Sequence, residues 1–99
     1  MRQPDDALGH PGVQLIVNLT TPAAHAGVTG AAIAAGKHVW SEKPLTLDVA
    51  AGQALLAAAE AAGVRVGCAP DTVLGAGLQT ARRLIDSGAI GTPLTALTL

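Results

Sequence analysis

The sequence predicts an α/β fold in which short parallel strands alternate with helices, and three features carry that prediction. Residues 13–18 (Val-Gln-Leu-Ile-Val-Asn), 38–41 (His-Val-Trp-Ser) and 64–68 (Val-Arg-Val-Gly-Cys) are short, mostly apolar runs rich in β-branched residues. That is how strands covered on both faces read. Alanine-rich stretches of helical length lie between them. Gly36, Gly63 and Gly88 follow the helical stretches, where a helix ends most readily because glycine takes a positive φ without strain. The expected architecture is a parallel βαβαβ unit in three layers, with helices packed over the sheet.

Residues 1–12 are polar and broken by Pro4, Gly9, Pro11 and Gly12; they approach the fold with one helical turn over 5–8. The first strand, 13–18, leads to Thr21-Pro22. Thr21 is a good N-cap, and Pro22 suits the first helical position, where its missing N–H costs nothing. This helix is expected to reach residue 35. After the strand at 38–41, a second helix is expected from near Thr46 to Gly63, with Asp48 in its first turn, where the helix dipole favours negative charge. The third strand, 64–68, passes through a turn at 69–72 into a helix over 77–87, in which Leu78, Ala81, Leu84 and Ile85 recur at helical spacing. Residues 92–99 alternate polar and apolar, the period of a strand with one wet face, and Pro93 places it at an edge or a strand start. A domain boundary is expected near Gly91.

Composition narrows the function classes. Of the 99 residues, 49% are hydrophobic and 13% charged, with one Trp and no Phe or Tyr. Such a chain buries a core, built from Ala, Val, Leu and Ile packed at close range. A formal net charge of −1 with scattered charges offers no basic face for nucleic acid and no polybasic patch for a membrane. The single cysteine, Cys68, excludes an internal disulfide and a cysteine-rich metal site, and fits a reducing compartment. No signal-peptide pattern opens the sequence and no apolar run approaches ~18 residues, so a cytoplasmic protein is expected.

Ligands of open α/β sheets bind beyond the carboxyl ends of the strands. Three loops lie there: 19–25, 41–44 and 69–72. The first opens a helix whose free N–H groups favour oxygen-rich partners; His25, in its first turn, can exchange hydrogen bonds with a sugar hydroxyl or simply cap or solvate the turn. The second carries Glu42-Lys43-Pro44. Charged residues rarely end a buried strand unless their heads reach a polar cleft, and Pro44 biases Lys43 toward extended geometry. Lys43 there can hold a substrate carbonyl or hydroxyl against developing negative charge, and Glu42 can hold ribose or orient Lys43. The alternative is a solvated loop pair. On the third loop, Asp71 and Thr72 either face the same rim or cap the following helix. His10 and His38 read as surface or core residues, and Cys68 as a small buried hydrophobe. Gly75-Ala76-Gly77 nearly matches a dinucleotide fingerprint but fails it: the phosphate loop should follow its strand at once, and no acidic residue stands about twenty positions on.

The ordered set Thr21-Pro22-x-x-His25, Ala34-Ala35-Gly36-Lys37-His38-Val39, Ser41-Glu42-Lys43-Pro44 and 84–91 (Leu-Ile-Asp-Ser-Gly-Ala-Ile-Gly) resembles the Gfo/Idh/MocA family of NAD(P)-dependent oxidoreductases, from about Leu8 onward. The resemblance implies that residues 1–91 are the C-terminal half of a Rossmann domain and that 92–99 begin a second α/β domain for substrate binding and dimerisation. It implies a catalytic, substrate-binding Lys43 and cofactor contacts from Thr20, Thr21, Pro22, His25 and Glu42. Asp71 and Thr72 resemble an active-site loop of some members. The cofactor would be NAD or NADP and the substrate a sugar or polyol-like hydroxyl. The family's phosphate-binding half and its catalytic histidine region have no counterpart, so a piece of the enzyme, inactive alone, is expected. The rival expectation is a non-catalytic module that associates with itself or another chain through the edge a missing strand leaves.

Overall fold

The structure, a computed structural model, describes residues 4–98, so the outermost ends of the two expected domains, residues 1–3 and 99, lie outside it. After a short α1 (Pro4–Leu8), the elements run β1 (Leu15–Asn18), α2 (Pro22–Ala34), β2 (His38–Ser41), α3 (Val49–Ala61), β3 (Val66–Cys68) and α4 (Ala76–Asp86). The strands form one parallel sheet in the order β1-β2-β3. Register pairs Asn18 with Ser41 and Ser41 with Cys68, so the three strands end level.

The glycine stops do what their positions predict. After α2 the N–H of Gly36 donates to Ile33 O and that of Lys37 to Ala32 O. Gly63 and Val64 repeat the pattern on Glu60 and Ala59, and Gly88 and Ala89 on Ile85 and Leu84. Each is the paired closure of a helix end around a left-handed residue, and the three glycines have φ of 69°, 66° and 74°. Since the N–H of Val64 is drawn back onto α3, β3 starts later than expected, at Val66. Two caps differ from the sequence reading. Asp48, expected inside the first turn of α3, is its N-cap: the Ala51 N–H donates to its carboxylate at 2.8 Å, while Thr46 Oγ1 donates to Asp48 O. Thr21 occupies the N-cap of α2 in extended geometry but its side chain makes no cap bond.

Helices α2 and α3 pack together and over one face of the sheet. The core is Ala32 and Ile33 of α2, Val39 of β2 and Ala59 of α3, with Leu8, Ile16, Leu55, Val64 and Val66 around it. Small residues let the helices approach; a Cβ on Gly30 would stand 3.5 Å from Leu55 Cδ2, an ordinary contact. The other face differs from expectation. Leu15, Val17 and Trp40 point there and stay 52%, 54% and 45% exposed, so the described residues make two layers rather than three. The apolar pattern of β1 is that of a strand covered twice, and this segment brings helices for one side.

Helix α4 packs on neither layer. Leu78, Leu84 and Ile85 remain exposed, and Arg82 pairs with Asp86 one turn on, a hydrogen bond that raises the guanidinium above its usual value with the carboxylate's charge adding to it. The radius of gyration, 17.8 Å, exceeds the ~13 Å of a compact chain of this size because α4 and the tail project. Residues 92–98, expected as a strand, pair with no strand among the described residues and have no regular structure; Leu94 and Leu97 are exposed. A strand is defined by its ladder, and no neighbour is present to supply one. No helix among the described residues is long and apolar enough to cross a membrane.

Candidate active site

Among the described residues the best-buried large side chains are polar, and they lie under the level strand ends: Asn18 (1% exposed), His25, Thr29 and Ser41 (all 0%). Buried polar groups are tolerated when satisfied, and these are. Asn18 Nδ2 donates to His25 O and Thr29 Oγ1, both at 3.2 Å, and Asn18 Oδ1 accepts from Thr20 Oγ1 at 2.7 Å and Thr20 N at 3.3 Å. The His25 ring has Thr20 O 2.9 Å from Nε2 and Pro44 O 2.6 Å from Nδ1. Ser41 Oγ donates to Glu42 O at 3.1 Å. Asn18, Thr20, His25 and Thr29 thus form one network that reaches Pro44 and lies beneath two rim loops, with the Ser41 bond separate from it.

Above it, the ladder continues one residue past each strand: Glu42 N donates to Asn18 O at 2.8 Å and Ala69 N to Ser41 O at 2.9 Å. Glu42, half-buried, folds back so that its carboxylate accepts the Lys43 N–H at 2.9 Å. Lys43 Nζ lies 3.3 Å from Asp71 Oδ2, with the two side chains 52% and 68% exposed. The Lys43–Pro44 peptide is cis. Thr72, beside Asp71, has a φ of 35°, a region that β-branched residues seldom adopt; neither it nor Asp71 caps α4, whose N-cap is Gly75.

The expected residues therefore divide. Lys43, Glu42 and Asp71 come together at the rim, and Thr20, Thr21 and Pro22 border it from the start of α2. His25 does not reach out: it is enclosed, with both nitrogens on backbone carbonyls. Asn18, Thr29 and Ser41 were missed by the sequence reading. Their signal was present: an amide ending an apolar strand, and a threonine four residues after His25 on an alanine-rich helix, hence on the same face.

The arrangement offers polar groups to a ligand at the strand ends, with no glycine-rich loop directly after a strand among the described residues. The rim offers an exposed ammonium, a carboxylate and hydroxyls at strand tips. Gly75, the glycine that ends the seven-residue connection from β3, and Gly77, in the first turn of the unpacked α4, are the pair resembling a phosphate loop and do not follow a strand directly. Cys68, part-buried at the third strand tip, directs Sγ toward the carbonyls of Glu42 and Ala69 at 3.9 and 3.7 Å.

The chain is 36% identical over 92 residues to a 1,5-anhydro-D-fructose reductase of Ensifer adhaerens, covering 93% of this chain and 28% of the relative. It is 31% identical to a D-xylose dehydrogenase of Paenarthrobacter nicotinovorans, covering 88% and 22%. Among solved structures it superposes on biliverdin reductase of Synechocystis, in complex with biliverdin and NADP+, with a TM-score of 0.79 and 29% identity over 93% of this chain and 28% of that one. The WlbA dehydrogenase of Bordetella pertussis, in complex with NADH and UDP-GlcNAcA, gives 0.77 and 28% over 90% and 27%. The chain thus spans about a quarter of the length of the proteins it matches. The model of the oxidoreductase family with an NAD-binding Rossmann fold matches residues 1–69, and with the parallel sheet and its rim this places the chain in the Gfo/Idh/MocA oxidoreductase family.

Proposed function

We propose that this chain forms the nicotinamide side of an oxidoreductase that moves hydride between NAD or NADP and a hydroxyl of a sugar or polyol-like substrate. The observation that carries the reading is Lys43 Nζ held 3.3 Å from Asp71 Oδ2 on an open rim, between the ends of β2 and β3 and beside the start of α2. The sugar-acting names of the two relatives support the substrate class. In this reading residues 1–91 are the C-terminal half of the Rossmann domain. Residues 92–99 are the first strand of a following domain whose ladder partners belong to the longer protein. A cytoplasmic setting, from the lone reduced cysteine, belongs to the same proposal.

When bound, the nicotinamide supplies the hydride acceptor or donor. Lys43 Nζ donates a hydrogen bond to the reacting oxygen and stabilises the negative charge that builds there as the hydroxyl loses its proton or, in the reverse direction, as hydride arrives at the carbonyl carbon. Asp71 and Thr72 line the substrate side, and Asp71 keeps the ammonium at the rim. Glu42 fixes the backbone of Lys43, and with Thr20, Thr21 and Pro22 borders the nicotinamide-side ribose. The hydroxyl proton passes to a base outside these residues.

In a full-length enzyme carrying this segment, Lys43→Ala should lower kcat at least ~100-fold, the effect of removing one group that meets developing charge; unchanged turnover removes the role. The 99-residue chain alone should not bind NAD at micromolar levels, since the pyrophosphate cradle of the fold lies in the other half. Calorimetry measures that directly. A second reading has its own support: the exposed face of Leu15, Val17 and Trp40 and the free edge of β1 suit a module that associates with itself. A stable dimer by mass measurement, indifferent to cofactor, would favour it.

A further inference from the structure

We propose that His25 is a positioning residue, the strut that fixes the Lys43 tip against the first rim loop, and not a contact of the cofactor. The inference rests on the proposed function only for what the tip is for. Three observations carry it. The side chain is wholly enclosed, at 0% exposure, so a ligand on the rim does not meet the ring. Both nitrogens face backbone carbonyls, Thr20 O at 2.9 Å and Pro44 O at 2.6 Å; a neutral ring donates to one and an imidazolium to both. The two carbonyls belong to different loops, one after β1 and the other immediately after Lys43.

The rest of the network explains why a strut is needed there. The tip after β2 has one backbone bond to β1, from Glu42 N to Asn18 O, and then leaves the sheet. Lys43 itself is held by an exposed pair with Asp71, and exposed pairs hold geometry weakly. Asn18 secures the near end of the strut by bonding Thr20 N and Thr20 Oγ1 on one side and His25 O on the other. His25 therefore joins a well-fixed loop to a poorly fixed one, and the residue thereby located is the one that carries the charge.

Two measurements on the chain, without cofactor, test this. In the unmodified protein labelled with nitrogen-15, His25 should give a ring N–H signal that exchanges with water at least tenfold more slowly than those of His10 and His38, both exposed. Ring protons exchanging as fast as theirs would overturn the proposal. In His25→Leu, amide exchange at Glu42, Lys43 and Leu45 should rise at least tenfold while Val39 and Trp40, inside β2, keep their protection. A folded variant with unchanged exchange at the rim would overturn it equally; if the variant does not fold, the ring measurement on the unmodified chain decides. Failure of Lys43→Ala to affect turnover would remove the proposed chemistry and leave the strut standing, so the two failures are distinct.

Discussion

Replacing Asn18 by Ala removes the junction of the buried network, and its cost can be worked from the partners. Four hydrogen bonds are lost, to Thr20 N, Thr20 Oγ1, His25 O and Thr29 Oγ1. They are not equal. Thr20 is exposed, so water takes over its two groups. Thr29 stands one turn after His25, and its hydroxyl can turn onto the His25 carbonyl within the helix, which leaves neither of those oxygens orphaned. What stays uncompensated is the net value of one or two buried bonds, about 1 kcal/mol each, and a small void at a fully buried position. The expected loss is about 2 kcal/mol, a fall in Tm of roughly 8–16 °C for a domain of this size. Thermal unfolding followed by circular dichroism reads it. Thr29→Val, which keeps shape and leaves Asn18 Nδ2 its bond to His25 O, should cost about 1 kcal/mol, and the double variant less than the sum because the two sites share a bond. A Tm shift below about 2 °C for Asn18→Ala would mean that the network does not hold the rim, and the reasoning would fail.

Two further outcomes follow from local geometry. Asp48→Ala deletes the N-cap of α3 and should cost about 1 kcal/mol, measured as a shift of the urea midpoint with unchanged slope; no shift would show that α3 starts elsewhere. Gly67→Ala places a Cβ 2.5 Å from Trp40 Cε3, so the indole must swing off the sheet. Because Trp40 is the sole tryptophan, its emission should move to longer wavelength at a cost of about 1 kcal/mol, and unchanged emission would show that the ring does not lie over Gly67.

Much of this was legible in the residues, for physical reasons that differ by element. Gly36, Gly63 and Gly88 fixed the helix ends, since few residues other than glycine close a helix in the left-handed region. Pro22 marked a helix start, and the acid-base pair before Pro44 marked a strand tip. The bare face was not legible: a run such as Leu15-Ile16-Val17 records that both sides are apolar, not which segment covers each. Nor was the strut, because sequence places His25 in a first turn but cannot say whether its ring turns outward to a ligand or inward to a carbonyl nineteen residues away. The amide at Asn18 and the hydroxyl at Thr29, buried on the inward side, are the features that would have told the two apart.

The glycine closures divide the molecule into a part with fixed dimensions and a part without. At the lower edge, the connections 35–37 and 62–65 are short and consumed by helix closure, so an added residue there would push β2 or β3 out of register and turn its inward side chains outward. At the upper edge, 42–48 and 69–75 are seven residues each, bonded mostly to one another, to themselves and to His25, with the sheet ladder reaching only Glu42 and Ala69. Length can change there without the sheet feeling it. Under the proposed function, the rim is therefore free to change by insertion above the strands while the lower turns stay constant in length, and 69–75 is the connection to lengthen before touching any strand.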